Sequence, residues 1–200
     1  MRAPRPRVLI VCEGDSEVKY FEEIRQYYHL PEVNMLVAKS ALGTQPQKVV
    51  NAAEDFFRRR GKVFDFVFAV FDCDSHDGFE NAQASAASKH KKLKNDVGMP
   101  LHFQAIPSVP CFEIWILLKF KTVEVLIDRH QAFELVKKEV KSYEKAMDDL
   151  YEITKHKLDE GKKNAQKCRE KCEKKNGDFV FTDLDLLIGK LDELFLPNLQ

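Results

Sequence analysis

Acidic residues follow two of the most apolar segments in the sequence, and their spacing suits a divalent metal ion. Glu13 comes directly after the first of these segments, and Asp72 and Asp74 follow the second. Because Asp72 and Asp74 are two residues apart, an extended backbone would point both carboxylates in the same direction. Close carboxylates repel each other unless a cation lies among them, and oxygen ligands suit Mg²⁺ or Mn²⁺. We therefore predict an Mg²⁺ or Mn²⁺ site formed by these three residues.

Each acidic motif also has an ordinary structural explanation. A single Glu after a strand often begins a helix, where the helix dipole favours negative charge. An Asp-x-Asp motif shortly before a glycine is often only a turn with local hydrogen bonds. The two motifs together favour the metal site, because both follow strong strands of one alternating pattern. A metal held there would lower the pKa of bound water and stabilise charge on a phosphoryl group.

The segments that carry these motifs have the alternating pattern of an α/β fold. Continuous apolar runs at residues 7–12 and 64–71 predict strands buried on both faces, and further strands are predicted at residues 33–38 and 101–106. Helical patterns lie between them, so the order predicts a Rossmann-like parallel sheet of about four strands with helices on both faces. Ligands bind such sheets at the carboxyl ends of the strands, where the acidic motifs lie.

The rest of the chain has mainly helical patterns. Residues 108–110 are expected to form a turn that leads into an apolar helix. Further helices are predicted at residues 111–120, 129–146, 147–174 and 183–194. We expect residues 1–120 to form the α/β core and residues 121–200 to form a helical part packed on it, giving one compact domain.

The composition favours a soluble protein but does not identify its partner. Apolar and charged residues make up 44% and 32% of the chain, and 32 basic residues balance 32 acidic ones. No apolar run approaches the roughly 20 residues that cross a bilayer, so we expect a cytoplasmic protein without membrane contact. Basic residues cluster at 58–62, 89–94 and 162–175, which occurs in nucleic-acid-binding proteins and more often on solvated helices. Cys168 and Cys172 are expected to be reduced surface thiols.

The acidic motifs and their surroundings resemble known families. A Glu after one strand and an Asp-x-Asp after a later strand resemble the Toprim signature, which implies that the predicted sheet has a Toprim-like fold. Three longer blocks are similar to the RloB-like family and occur in the family's order. They read VCEGDSEVKYFEEI, AVFDCDSHDGFENA and SVPCFEIWILLKF. Residues 143–145 and 182–184 extend the similarity towards the C-terminus, so the resemblance covers most of the chain.

The resemblance implies a Toprim-type nuclease of bacterial phage defence, or abortive infection, which often acts with an ABC-type ATPase partner. Related effectors cleave nucleic acid, including tRNA. By this resemblance Glu13 would be a metal ligand or general base, and Asp72 and Asp74 would bind Mg²⁺. Glu113, at the start of the predicted apolar helix, would be a fourth acidic member. Its ordinary explanation is a favourable charge in the first turn of that helix.

Three further residues are candidates for binding substrate. Ser16 stands where members of the family commonly have Thr. His76 follows the Asp-x-Asp motif and could contact phosphate, although an exposed loop histidine is more common. Lys145 could neutralise a phosphate charge or simply face water. Phe112 and Trp115 are expected to lie in the core rather than to stack on bases.

Two other functions remain open at this stage. The chain could be a non-catalytic regulatory or interaction subunit whose helical part binds the ATPase or a second copy. Phosphohydrolases of the HAD type also use Asp-x-Asp after a strand, but there the motif follows the first strand rather than the third. The sequence does not distinguish DNA from RNA as substrate, and it leaves homo-oligomer formation and the activation trigger open.

Overall fold

The protein has a five-stranded sheet with helices on both faces, which confirms the predicted α/β class. The structure is a computed structural model that describes residues 5–73, 79–175 and 179–196. None of the helices in these ranges is long and apolar enough to cross a membrane. The elements in chain order are β1 (Val8–Cys12), α1 (Asp15–Tyr27), β2 (Met35–Lys39), α2 (Pro46–Arg59), β3 (Phe66–Asp72), α3 (Phe79–Lys89), β4 (His102–Val109), α4 (Glu113–Leu118), α5 (Arg129–Glu139), α6 (Leu150–Thr154), α7 (Leu158–Lys174), β5 (Phe181–Thr182) and α8 (Leu184–Phe195).

The strand order is β2-β1-β3-β4-β5, which makes β1 and β3 neighbours near the middle of the sheet. The first four strands run parallel, and β5 runs antiparallel to β4. Cys12 at the end of β1 lies beside Val70, and Asp72 at the end of β3 lies beside Ser108. The residues that follow β1 and β3 therefore meet at one edge of the sheet.

Alternating residues of the strands pack into two apolar layers, because successive side chains point to opposite faces of a sheet. Val8 and Ile10 join the larger layer, which contains α1, α4 and the C-terminal helices. Leu9 and Val11 join the smaller layer against α2 and α3. Trp115 lies fully buried in the larger layer, as predicted for the apolar helix. The acidic edge thus stands on strands that are buried on both faces.

Strand β4 continues through Val109, so the predicted turn at residues 108–110 is wrong for its first two residues. The cause is β5, a strand that the sequence analysis did not predict. Ser108 and Val109 pair with β5, and the hydroxyl groups of Ser108 and Thr182 form a hydrogen bond of 2.8 Å. The C-terminal part of the chain therefore extends the sheet as well as covering it.

The segment at residues 140–149 was predicted to be helical, but it forms turns between α5 and α6. Ala146 and Asp149 have positive φ angles of 55° and 63°, which a right-handed helix does not contain. The carboxylate of Glu23 in α1 accepts hydrogen bonds from N–H groups at the start of α6, at 2.7 Å for Tyr151. The start of α6 is therefore stabilised by hydrogen bonds to the distant helix α1, and the local sequence pattern does not mark it.

Cys168 and Cys172 carry buried thiols, so the prediction that they lie on the surface is wrong. Both lie in α7, which packs on α4 and α8. The Cys172 thiol lies 3.6 Å from the carbonyl oxygen of Phe179. The two residues behave as small apolar side chains in the larger layer, as buried free cysteines usually do.

Candidate functional site

Glu13 and Asp72 come together at the carboxyl ends of the neighbouring strands β1 and β3. The backbone N–H of Asp72 donates a hydrogen bond of 2.8 Å to Oε2 of Glu13. The N–H of Glu13 in turn donates to the carbonyl oxygen of Val70, at 2.9 Å. These bonds follow from the parallel register of the two strands, so the sheet itself fixes the spacing of the two acidic residues.

The Asp72 carboxylate is held by donors from two other elements. Its Oδ1 accepts a hydrogen bond of 2.8 Å from the backbone N–H of Phe112, just before α4. Its Oδ2 lies 3.3 Å from the guanidinium group of Arg129, the first residue of α5. Burial raises the pKa of Asp72 well above its ordinary value, and the nearby charges of Glu17 and Glu13 raise it further, against the opposing effect of Arg129.

Glu17 is a buried carboxylate that the sequence analysis did not include in the site. It lies in the first turn of α1, where only 4% of its surface is exposed. Burial, together with repulsion by Glu13 and Glu113, raises the pKa of Glu17 to about 7. A signal was present in the sequence, because Glu17 lies three and four residues before Tyr20 and Phe21, on the buried stripe of α1.

Gly14 makes room for the Glu17 carboxylate. A Cβ atom at position 14 would lie 2.9 Å from Oε2 of Glu17, which is closer than such atoms approach each other. The backbone of Gly14 is extended, with φ of −125°, so its conformation does not require glycine. A methyl group at this position would therefore push the end of the Glu17 side chain aside rather than strain the backbone.

Glu113 enters the same cavity from α4. It is the first residue of that helix, and only 4% of its surface is exposed. The hydroxyl group of Tyr143 donates a hydrogen bond of 3.0 Å to its Oε1. Burial, and then the charge of Glu113, raises the pKa of Tyr143, so its hydroxyl keeps the proton that it donates. The predicted fourth acidic residue thus has a fixed orientation beside Asp72 and Glu17.

Ser16 and Lys145 also border this cavity, which has a volume of ≈ 200 Å³. The hydroxyl oxygen of Ser16 accepts a hydrogen bond of 2.9 Å from the N–H of Ala146, the residue after Lys145. Further along α1, Lys19 forms an ion pair of 2.7 Å with Asp148. These contacts hold the segment that carries Lys145 against the start of α1. Lys145 is therefore the cationic residue on this side of the cavity, and Arg129 approaches from another side.

Five of the predicted site residues thus share one cavity. They are Glu13, Ser16, Asp72, Glu113 and Lys145. The other two, Asp74 and His76, lie outside the residues that the structure describes. Sequence reasoning also missed Arg129, for which there was no signal, because it lies far along the chain in a charged helix.

The cavity carries more negative than positive charge. Five carboxylates border it together with two cationic side chains, and they belong to Glu13, Asp15, Glu17, Asp72 and Glu113. Their oxygen atoms are ligands that hard cations such as Mg²⁺ prefer. Within the described ranges, no three His, Cys, Asp or Glu side chains are grouped so as to hold a metal ion by themselves. The predicted metal site that includes Asp74 stays a prediction, because Asp74 lies outside those ranges.

Comparison with known proteins identifies one family. The sequence model of the family described as RloB-like protein matches residues 8–191, which include every described residue of the cavity. No curated protein and no solved structure matches the chain significantly.

Proposed function

Because this chain belongs to the RloB-like protein family across residues 8–191, we propose that it is an Mg²⁺-dependent nuclease of the Toprim type. The reaction would be cleavage of a phosphodiester bond in DNA or RNA, with tRNA among the substrates to test. The observation that carries this proposal is the convergence of four buried or half-buried carboxylates at the carboxyl ends of β1 and β3. This is the edge at which parallel α/β sheets bind their ligands.

The electrostatics of the cavity support a divalent cation. The raised pKa values of Glu17 and Asp72 arise from burial and mutual repulsion, and a nearby cation would offset both effects. Glu13, Asp72 and Asp74 would hold Mg²⁺. Asp74 is included because side chains two residues apart on an extended backbone, such as those of Asp72 and Asp74, point in the same direction. When bound, Mg²⁺ supplies an acidified water and stabilises charge on the phosphoryl group.

The other residues of the cavity have roles that follow from their positions. Glu113 is oriented by Tyr143 and would accept the proton of the attacking water as general base. Lys145 and Arg129 would bind phosphate oxygens, since both are cationic and border the cavity. Ser16 would act indirectly, because its hydrogen bond to Ala146 holds the segment that carries Lys145.

The biological setting of the proposal derives from the family resemblance. It comprises phage defence in the bacterial cytoplasm, with an ABC-type ATPase as partner. Testing for the partner is straightforward, because a complex with the ATPase should survive gel filtration. We expect the Asp72→Ala variant to retain that complex and to lose the defence phenotype, since it changes the cavity alone.

Calorimetry of Mg²⁺ and Mn²⁺ binding is the first test of the site. The wild type should bind the metal, and the Asp72→Ala/Asp74→Ala double variant should not. The matched control is Asp159→Ala, because Asp159 is exposed in α7 and lies outside the cavity. Cleavage of labelled tRNA and duplex DNA, with Mg²⁺ or with EDTA, then tests the reaction. Metal binding that persists in the double variant, or substrates left intact by the protein with its partner, would contradict the proposal.

A non-catalytic interaction subunit is the second candidate, and one observation favours it. Both oxygen atoms of Asp72 already contact protein donors, Oδ1 the N–H of Phe112 and Oδ2 the guanidinium group of Arg129. These contacts satisfy the hydrogen-bonding capacity of both oxygen atoms with protein groups alone. If this candidate is correct, Asp72→Asn would leave both the partner complex and the phage-defence effect unchanged.

A further inference from the structure

A second cavity, of ≈ 220 Å³, lies against helix α2 and reaches the carboxyl end of β2 at Lys39. It opens between the segment after β2, which contains Leu42, and helix α2. The two cavities are close because β1 and β2 are neighbours. The N–H of Ser40, just after β2, donates to the carbonyl oxygen of Cys12 at 2.8 Å, directly before Glu13. Lys39 of this cavity forms an ion pair of 2.7 Å with Asp15, which borders the candidate site.

The floor of this second cavity is apolar and partly open to solvent. Val11 and Ala52 form its base, and the half-buried ring of Phe56 forms one wall. Leu42 lies at the mouth with 47% of its surface exposed, although it is a large apolar residue. An apolar floor with an exposed large side chain at its mouth is typical of a site that covers part of a ligand.

The rim of the second cavity is basic. Lys39, Arg59 and Arg60 border it, against a single acidic residue, Asp55. The ion pair between Arg59 and Asp55 is 3.0 Å long and exposed, so it contributes little and exchanges readily for another anion. The guanidinium group of Arg60 lies 5.2 Å from the centre of the Phe56 ring. Among the described residues, no carboxylate lies within ion-pair distance of Arg60.

We propose that this second cavity binds an unpaired nucleotide of a single-stranded nucleic acid whose backbone continues into the candidate site. The proposal rests on the proposed nuclease function and names the substrate class of that site. Phe56 and the planar guanidinium group of Arg60 offer a surface on which any base can stack. Lys39 and Arg59 would bind the adjoining phosphates. A duplex would not fit equally well, because its base faces are covered by their neighbours in the stack.

Fluorescence anisotropy in EDTA tests this binding without cleavage. The probes are labelled single strands of RNA and DNA of about 12 nucleotides, and a duplex of the same sequence. The Arg59→Gln/Arg60→Gln variant should bind single strands about 20-fold more weakly at about 0.1 M salt, because it loses one phosphate contact and one stacking group. Its salt slope should fall by about 0.7, as expected for the phosphate contact of Arg59. The matched control is Lys137→Gln/Lys138→Gln, an exposed basic pair that borders neither cavity and in which Lys137 lies over the ring of Phe133.

The Phe56→Leu variant separates base stacking from charge. It should weaken single-strand binding about fivefold or more and leave duplex binding unchanged. Thermal unfolding of each variant verifies the fold, and the arginine variant keeps the test valid if Phe56→Leu is unstable. Equal losses in the control pair, or equal losses for duplex and single strand, would overturn the inference. Selective binding without any cleavage would support it and contradict only the nuclease proposal, whereas cleavage with unchanged binding by both variants would overturn only this inference.

Discussion

Replacement of Glu17 by Gln should make the protein more stable at neutral and alkaline pH. The pKa of Glu17 rises from an ordinary value of 4.5 to about 7 in the folded protein, mainly because the carboxylate is buried. Each pKa unit corresponds to about 1.4 kcal/mol, so ionising this group in the fold costs about 3 kcal/mol. The exposed fraction is only 4%, and screening by solvent therefore reduces this figure little.

The sign of the pH dependence follows from proton binding. Between about pH 4.5 and 7 the folded chain holds the Glu17 proton more tightly than the unfolded chain does. The free energy of unfolding of the wild type should therefore fall as pH rises through this range, and the loss should be complete above about pH 7. Glu17→Gln carries no such proton, so its stability should lack this fall.

Urea unfolding in EDTA at pH 5 and pH 8 measures the effect. At pH 8 we expect Glu17→Gln to exceed the wild type by up to about 3 kcal/mol, and at pH 5 the difference should be much smaller. The control is Glu32→Gln, because Glu32 is exposed in the turn after α1 and should give no such difference. The reasoning is refuted if Glu17→Gln is less stable than the wild type at pH 8, or if both lose stability equally between the two pH values.

Three further predictions concern single contacts. Tyr143→Phe removes the hydroxyl group that donates a hydrogen bond to Glu113, so the free energy of unfolding in urea should fall by about 1–3 kcal/mol. An unchanged unfolding midpoint would show that water replaces the lost donor. Burial raises the pKa of Asp183 from 3.8 to about 6, so the free energy of unfolding of the wild type should fall as pH rises between those values. At pH 7 the Asp183→Asn variant should be more stable than the wild type by up to about 3 kcal/mol in urea unfolding. A variant less stable than the wild type would contradict this. Gly14→Ala should displace the Glu17 carboxylate and weaken Mg²⁺ binding measured by calorimetry, while the circular dichroism spectrum stays unchanged. A variant that binds Mg²⁺ with wild-type affinity would show that the position of this carboxylate does not matter for metal binding.

The sheet and its acidic edge could be predicted because both depend on strong local patterns. The apolar runs that become β1 and β3 are continuous, which is the pattern of strands buried on both faces. Acidic residues directly after such strands lie at one edge whenever the strands are parallel neighbours. The position of Glu13 beside Asp72 therefore follows from the sequence and one rule of sheet topology.

The features that could not be predicted depend on contacts between distant residues. Strand β5 has only two residues, and only its pairing with Ser108 and Val109 makes it a strand. The turns before α6 depend on hydrogen bonds to Glu23, more than a hundred positions earlier in the chain. Arg129 reaches Asp72 because α4 and α5 pack together, and no local pattern marks it.

The contacts along helix α1 have a consequence for how this chain tolerates insertions and deletions. Ser16, Lys19 and Glu23 hold successive points of the segment at residues 145–151, spread over about 10 Å of the helix. Ser16 and Glu23 bind backbone N–H groups of that segment, so these two contacts do not depend on which side chains it carries. Its length is not free, because one added or missing residue would shift Lys145 away from the acidic cavity. Homologous chains should therefore keep the same number of residues here.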